Sequence, residues 1–289
     1  MSTRAPRILI AGSTGYLGGH IVKELLKTSS DFKALGRNRA KLEAIGLRDK
    51  QMTLAEVTDA KSLIGCCDGI DVVISCVGIT RQKDGLGYMD VDFQANVNLL
   101  REAENAGVKK FIYISAFNAQ KYKQVRLLNA KERFSESLLA STKLIPCVIR
   151  PNGFYADIEA FYTMAASGRA YVFGKGEVRL NPIHGEDLAH FCIEAIDKKE
   201  KEFDVGGSEV LSAMDIVNLA FQAQNKQPKT IGLPDWIRCI AVYITSKLPE
   251  KFGGPAEFFL TVMAQDMIAP KYGDHKLGEY FQAMFEKDK

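Results

Sequence analysis

Three glycines recur at every third position near the amino terminus, in the segment 11–20, AGSTGYLGGH. Gly12, Gly15 and Gly18 follow an apolar run at 7–11, which predicts a buried strand, and precede a segment at 20–27 with helical periodicity. In this setting glycines permit a tight turn, close approach of the backbone to a pyrophosphate, and close packing of helix on strand. The helix amino terminus adds partial positive charge. The spacing predicts a dinucleotide-binding loop; the alternative is a tight turn without a ligand.

The end of the second predicted strand, at 32–36, indicates which dinucleotide is bound. Sites of this type that select NAD usually place an acid here to bind the ribose diol. This strand instead ends in Arg37, Asn38 and Arg39. A guanidinium can meet a 2′-phosphate with bidentate charged hydrogen bonds, so Arg37 favours NADP(H) over NAD(H). The alternative is an exposed arginine that caps a loop.

These motifs lie in a regular alternation of strands and helices that continues to about residue 151. Further strands are predicted at 51–56, 71–78, 109–115 and 145–151, and helices at 38–46, from about Asp59, at 87–107 and around Lys131. Near-continuous apolar strands between helices indicate a parallel, doubly wound (Rossmann) sheet, and hence the α/β class. We expect 1–151 to form the NAD(P)-binding domain and 152–289 a smaller C-terminal substrate lobe that packs on it.

Composition excludes several classes of protein. Of 289 residues, 46% are hydrophobic and 25% charged, and the net charge is +3, with basic residues interleaved among acids. Nucleic-acid binding is therefore not expected. The six cysteines form no C-x-x-C pair and no zinc spacing, so no metal is predicted. The absence of a membrane-spanning stretch and of a signal peptide before the first strand predicts a cytoplasmic protein.

Several segments resemble the atypical short-chain dehydrogenase/reductase family, most of all its NmrA-like and isoflavone-reductase-like branch. They are GSTGYLGGHIVKELL at 12–26, LGRN at 35–38, VNLLREAENAGVKKFIYIS at 97–115 and VIRPNGFY at 148–155. The resemblance spans nearly the whole chain and is strongest to about residue 155. It implies a nicotinamide cofactor bound at the carboxyl ends of the strands.

The resemblance also implies individual cofactor contacts. The pyrophosphate would be lined by Gly12, Thr14, Gly15, Tyr16, Leu17 and Gly18. Arg37, with Asn38 beside it, would take the 2′-phosphate, and Glu56 and Val57 would lie beside the adenine, although this branch more often has aspartate at position 56. The contacts beneath the cofactor and toward the nicotinamide would be Cys76, Val77, Gly78, Ser115, Lys131, Pro151 and Asn152.

Lys131, in the segment RLLNAKERF at 126–134, is the candidate catalytic residue. Many members of the family transfer a proton through a tyrosine four residues earlier, and the lysine lowers the pKa of that tyrosine and binds the nicotinamide ribose. Here Leu127 holds the tyrosine position, so the usual triad is not present.

Two functions remain open. In the first, Lys131 alone serves as acid/base or ribose anchor in a reductase that acts on a conjugated C=C or a carbonyl of a small apolar molecule. In the second, the protein binds NADP(H) without turnover, as a redox sensor or an assembly protein. A structural interpretation of Lys131 is an exposed helix lysine paired with Glu132 or Glu136.

The C-terminal half offers weaker candidates. His184 is expected to be structural, with Glu186 and Asp187 starting a helix. The aromatic residues that would either line an apolar substrate cleft or simply pack are Tyr155, Phe161 and Tyr162. A polar loop that would close over the nicotinamide contains Arg81, Lys83 and Asp84.

A predicted helix at 234–248 has an apolar side at helical spacing, formed by Ile237, Ile240, Ile244 and Leu248. It predicts a contact with the core or with a second copy in a homodimer. The alternatives are a lid over an apolar substrate and a peripheral contact with a membrane.

Overall fold

The computed structural model describes residues 4–79 and 85–288. The chain divides into two compact units: the first comprises Met1–Arg150 and Leu188–Phe203, and the second comprises Pro151–Asp187 and Asp204–Lys289. The predicted loop residues Arg81, Lys83 and Asp84 lie outside the described residues.

A seven-stranded sheet forms the centre of the Rossmann fold. Its strands are β1 (Ile8–Ala11), β2 (Phe32–Gly36), β3 (Met52–Leu54), β4 (Val72–Ser75), β5 (Lys110–Ile114), β6 (Ile145–Pro151) and β9 (Glu202–Val205). They lie in the order β3-β2-β1-β4-β5-β6-β9, and the pairings from β3 to β6 are parallel. The strand order reverses between β1 and β4, which is where such folds bind their ligands. The predicted doubly wound parallel sheet is confirmed.

Helices alternate with these strands. They are α1 (Tyr16–Lys27), α2 (Arg39–Ala44), α3 (Asn96–Asn105), α4 (Arg126–Leu139) and α6 (Gly185–Glu194). Every residue of β1, β4 and β5 is buried, as expected for strands covered on both faces. The amphipathic α4, which carries Lys131, buries its face through Leu127, Leu128, Phe134 and Leu138.

The second unit contains short strands and further helices. The strands β7 (Ala170–Phe173), β8 (Arg179–Leu180), β10 (Leu211–Ser212) and β11 (Thr230–Leu233) form two two-stranded sheets, β8 with β10 and β7 with β11. The helices are α5 (Glu159–Ala166), α7 (Ala213–Ala223), α8 (Asp235–Lys247), α9 (Glu250–Val262) and α10 (Leu277–Lys287).

Two predicted helices differ from the structure. The segment predicted as a helix from Asp59 forms consecutive turns, because its hydrogen bonds join residues three apart, as from Ser62 N to Asp59 O, and Gly65 takes a φ of +81°. The helix predicted at 87–107 is interrupted: Met89–Ala95 is a π-helical stretch that leads into α3. Such stretches are frequent at functional sites, and this one carries Asp92.

Candidate functional site

The glycine loop between β1 and α1 has no room for larger residues. Gly12 has a φ of +75°, which favours glycine, and a Cβ atom there would lie 2.8 Å from the carbonyl carbon and oxygen of Cys76. A Cβ atom at Gly18 would lie only 2.2 Å from the Gly12 carbonyl oxygen. The amide of Gly15 donates to the same oxygen at 3.0 Å. The first turn of α1 therefore packs directly on the loop, and the loop packs on the residue that follows β4.

Replacing Gly18 by alanine is expected to lower the free energy of unfolding by about 1–3 kcal/mol, because the new methyl group overlaps backbone atoms. The displaced loop should also weaken NADPH binding. The neighbouring Gly19→Ala is a matched control, since a Cβ atom there would have Ser13 O as its nearest neighbour, at 3.9 Å. Urea denaturation and NADPH titration of both variants test the prediction, and equal behaviour of the two would contradict it.

A cavity of about 460 Å³ opens at this loop within the first unit. The predicted cofactor contacts that line it are Gly12, Thr14, Gly15, Arg37, Glu56, Val57, Cys76, Val77 and Gly78. Lining residues that were not predicted include Lys41, Thr58, Ile79, Leu86 and Val91. Tyr16, Leu17, Gly18, Asn38, Ser115 and Lys131 are not among the lining residues. The structure thus brings together the ends of β1, β2, β3 and β4, as the sequence predicts.

One corner of the cavity is basic. Arg37 Nη1 lies 3.3 Å from Glu56 Oε2, and the other carboxylate oxygen of Glu56 accepts a hydrogen bond from the Thr58 hydroxyl at 2.9 Å. Lys41, in the first turn of α2, supplies a second cation to the lining. Asn38, predicted beside the 2′-phosphate, caps α2, because its side chain accepts a hydrogen bond from the Lys41 amide at 3.1 Å.

Lys131 makes a contact that the sequence did not indicate. Its Nζ lies 3.0 Å from Asp92 Oδ1, and the Asp92 side chain is fully buried. The other carboxylate oxygen of Asp92 accepts the Ile79 amide at 3.1 Å. A Cβ atom at Gly78 would lie 2.5 Å from Asp92 Oδ1 and 3.0 Å from Lys131 Nζ, so glycine at this position lets the cavity wall approach the ion pair.

The ion pair determines the protonation state of Lys131. Burial by itself would lower the pKa of Lys131, but the Tyr113 hydroxyl and the Asp92 carboxylate raise that pKa to well above its usual value. Lys131 therefore remains an ammonium group at neutral pH, and it is a poor general base and a weak acid. The interpretation of Lys131 as a surface lysine paired with Glu132 or Glu136 is wrong, because these acids pair with Arg150 and Lys123 respectively.

Comparison with known proteins identifies the family. The profile of the NAD(P)H-binding family matches residues 12–199. The chain belongs to that family. The predicted NAD(P)-binding Rossmann fold is confirmed by this match and by structures that share the fold.

Relatives of this NAD(P)H-binding protein include enzymes and an assembly factor. Divinyl chlorophyllide a 8-vinyl-reductase, chloroplastic, from Zea mays is 27% identical over 97% of this chain and 79% of its own length. Photosystem II assembly factor Ycf39 from Synechocystis is 25% identical over 79% of this chain and 71% of its own length. The NADPH-dependent quinone oxidoreductase QOR2 of Escherichia coli, solved with NADPH, has the same fold, with a TM-score of 0.74 and 18% identity over 96% of this chain and 99% of its own.

The residues at or near the positions where the family that the sequence resembles carries its proton donors are buried in the first unit. Leu127 packs into the core, as its apolar side chain requires. Tyr113 is fully buried, its ring centroid lies 5.7 Å from Lys131 Nζ, and burial raises the pKa of its hydroxyl. Ser115 is also buried, and its hydroxyl accepts a hydrogen bond from the Ser135 hydroxyl at 3.3 Å. None of these three residues supplies an exposed acid.

Several predicted residues belong to the second unit and have structural contacts there. Asn152 donates through Nδ2 to Asn181 Oδ1 at 2.7 Å and to the Met267 carbonyl oxygen at 2.5 Å. Pro151 is buried at the end of β6. The three aromatic residues considered for a substrate cleft, Tyr155, Phe161 and Tyr162, are all buried.

A histidine cluster in the second unit contains His184, which the sequence analysis considered, and His275, which it did not. Among the described residues, potential ligand atoms of His184, Glu186 and His275 lie within 4.8 Å of one another. The two imidazole rings are stacked, with centroids 4.0 Å apart and planes at 20°, so their in-plane lone pairs do not converge. Moreover, His184 Nδ1 accepts the Glu186 amide at 3.3 Å, and Asp187 binds His275 Nδ1 at 2.8 Å. This geometry fits a hydrogen-bonded cluster at the start of α6 better than a metal centre.

No helix in the described ranges 4–79 and 85–288 is long and apolar enough to cross a membrane.

Proposed function

We propose that this protein is an NADPH-dependent reductase that acts on a conjugated C=C or a carbonyl of a small apolar molecule. The observation that carries the proposal is the buried Asp92–Lys131 ion pair directly behind Gly78 in the wall of the cavity. A buried cation held at the cofactor site suits chemistry that builds up negative charge. The relative from Zea mays, named as a vinyl reductase, supports reduction of a C=C bond.

The lining of the cavity supports a phosphorylated dinucleotide as the ligand. The cavity wall contains the backbone of Gly12 and Gly15, and the amino-terminal end of α1 would add partial positive charge for a pyrophosphate. Arg37 and Lys41 would hold the 2′-phosphate. NADPH bound in this position would supply the hydride for the reduction.

Lys131 acts as an electrostatic anchor in this proposal, and not as the general acid. Its raised pKa keeps the ammonium charged, and Asp92 fixes the position of that charge. The ammonium would hold the nicotinamide ribose, as the family resemblance implies, and would favour negative charge that develops on the substrate. Leu127 stands where many members of the family that the sequence resembles have tyrosine, so in this proposal a solvent water molecule donates the proton that completes the reduction and leaves as hydroxide.

The second candidate is a protein that binds NADP(H) without turnover. The buried Leu127 and the similarity to an assembly factor favour it. The two functions differ in one measurable property, which is oxidation of NADPH in the presence of an acceptor.

The test combines an acceptor screen with a matched pair of variants. NADPH oxidation is measured with enones, quinones and aldehydes, and NADPH binding is measured separately by fluorescence titration. Removal of both charges by Asp92→Asn with Lys131→Met avoids a buried unpaired carboxylate. This double variant is expected to lose about 10- to 100-fold in turnover, the value of a hydrogen bond from a charged group.

The control is Lys123→Met with Glu136→Gln, which removes an exposed ion pair near the same helix and should leave turnover unchanged. Binding of NADPH without oxidation by any acceptor would refute the reductase and support the second candidate. Equal turnover of the double variant and the wild type would show that Lys131 has no role in the reaction.

A further inference from the structure

The helices α8 and α9 of the second unit expose apolar side chains that a helix in a folded protein normally buries. The structure describes all residues of Asp235–Lys247, and none of them is buried. Trp236 is 63% exposed, Tyr243 is 66% exposed and Phe252 is 70% exposed. We define the exposed aromatic face as Trp236, Ile240, Tyr243, Ile244, Leu248 and Phe252, all of which are exposed.

This face is formed by a folded helix. Trp236, Ile240 and Tyr243 are separated by four and three positions, which places them on one side of α8. The remainder of α8 packs against α9. Arg238 forms a hydrogen bond between the two helices, because its Nη1 donates to the Leu260 carbonyl oxygen at 3.2 Å. The predicted apolar side of this helix therefore exists, but much of it faces solvent, and Trp236 and Tyr243 extend it.

Around the exposed aromatic face, residues 235–252 include three basic residues, Arg238, Lys247 and Lys251, and two acids, Asp235 and Glu250. The segment 236–249, WIRCIAVYITSKLP, contains two basic residues and no acid. Arg238 is paired with Asp235 at 2.7 Å, whereas Lys247 and Lys251 are exposed beside the aromatic rings. Lys247 Nζ lies 5.7 Å from the centroid of Tyr243, and Lys251 Nζ lies 5.9 Å from that of Phe252. Exposed aromatic rings thus lie directly beside ammonium groups.

We propose that the exposed aromatic face binds the surface of an anionic lipid bilayer. Tryptophan and tyrosine favour the interface between headgroups and acyl chains, and lysines beside them are attracted to anionic headgroups. Each helix has only 13 residues, which suits a helix that lies in the interface rather than one that spans it. A second copy of the chain is the alternative occupant, and the test below distinguishes it from a bilayer.

The test is co-sedimentation of the full-length protein with vesicles of phosphatidylglycerol and phosphatidylcholine, compared with vesicles of phosphatidylcholine alone. We expect binding to the anionic vesicles that weakens with salt. Lys247→Gln with Lys251→Gln should weaken this binding by about tenfold or more. The control Lys23→Gln with Lys287→Gln makes the same change in net charge on other exposed helices and should have little effect.

The aromatic contribution is tested by Trp236→Ser with Phe252→Ser, which should also abolish most of the binding. Ile64→Ser removes an exposed apolar side chain from the first unit and is the matched control. Circular dichroism confirms that each variant is folded.

The proposal is overturned if the wild type does not bind anionic vesicles or if the aromatic variant binds them equally well. It is also overturned if light scattering shows a dimer that the aromatic substitutions dissociate, since a second copy would then cover the face. None of these outcomes depends on whether the protein reduces a substrate.

Discussion

Replacement of Arg37 by glutamate is expected to weaken NADPH binding by about 2–5 kcal/mol and to leave NADH binding nearly unchanged. The two cofactors differ only in the 2′-phosphate, and Arg37 is the cation at the end of β2 that lines the cavity beside Glu56. A glutamate there would place a second carboxylate at this corner and repel the phosphate. Because the Arg37 side chain is 62% exposed, screening by solvent favours the lower end of the range.

Isothermal titration with NADPH and NADH measures this effect. Arg39→Glu is the control, because Arg39 is also exposed and close in sequence, but it pairs with Asp49 and Glu43 and is not among the residues that line the cavity. Lys41→Glu should act in the same direction as Arg37→Glu. Unchanged NADPH affinity in the Arg37 variant would refute the assignment of the 2′-phosphate site, and with it the preference for NADP(H).

Replacement of Arg150 by methionine is expected to lower the free energy of unfolding by about 3–5 kcal/mol, the usual cost of breaking a buried ion pair. The Arg150 side chain is only 4% exposed and lies between two acids of the first unit. Its Nη2 is 3.3 Å from Glu132 Oε1, and its Nη1 is 2.6 Å from Glu202 Oε2. Glu202 is half exposed and water can replace the lost partner, but the Glu132 carboxylate would be left buried without its cation.

The destabilisation should depend on pH. Burial raises the pKa of Glu132 in the folded protein, and Arg150 opposes that shift. Without Arg150 the folded pKa rises further above the unfolded value. The variant is therefore least impaired at acidic pH, where Glu132 is protonated and neutral, and it loses stability as the pH rises above the unfolded pKa.

Urea denaturation at pH 5 and pH 8 measures both effects. Adding Glu132→Gln to Arg150→Met should recover part of the loss, because it removes the buried charge. Arg179→Met is the control, since the Arg179–Asp266 pair is exposed and should contribute less than about 1 kcal/mol. A loss of less than about 1 kcal/mol for Arg150→Met, or a loss independent of pH, would contradict the role of this ion pair.

Local features of the candidate site could be predicted from the sequence. The glycine spacing depends on contacts within a single strand–loop–helix unit, and the structure shows the close approaches at Gly12 and Gly18 that this spacing implies. Apolar strands between helices predict a parallel sheet because a strand covered on both faces needs no polar side. The helix predicted from the capping pattern at Asp59 was nevertheless wrong, because the chain forms turns over 59–69. Helix propensity is a weak determinant of structure in a short segment, and tertiary contacts override it.

The sequence by itself thus determined the Rossmann topology, the glycine loop, the basic end of β2 and the absence of a tyrosine before Lys131. Only the tertiary structure decided what Lys131 contacts, because its partner, Asp92, comes from a different helical segment and meets it behind Gly78. The same is true of Lys41 in the cavity and of Trp236 on the surface of α8. Periodicity and backbone conformation depend on near neighbours in the chain, whereas burial and ion pairing depend on which distant segments pack together.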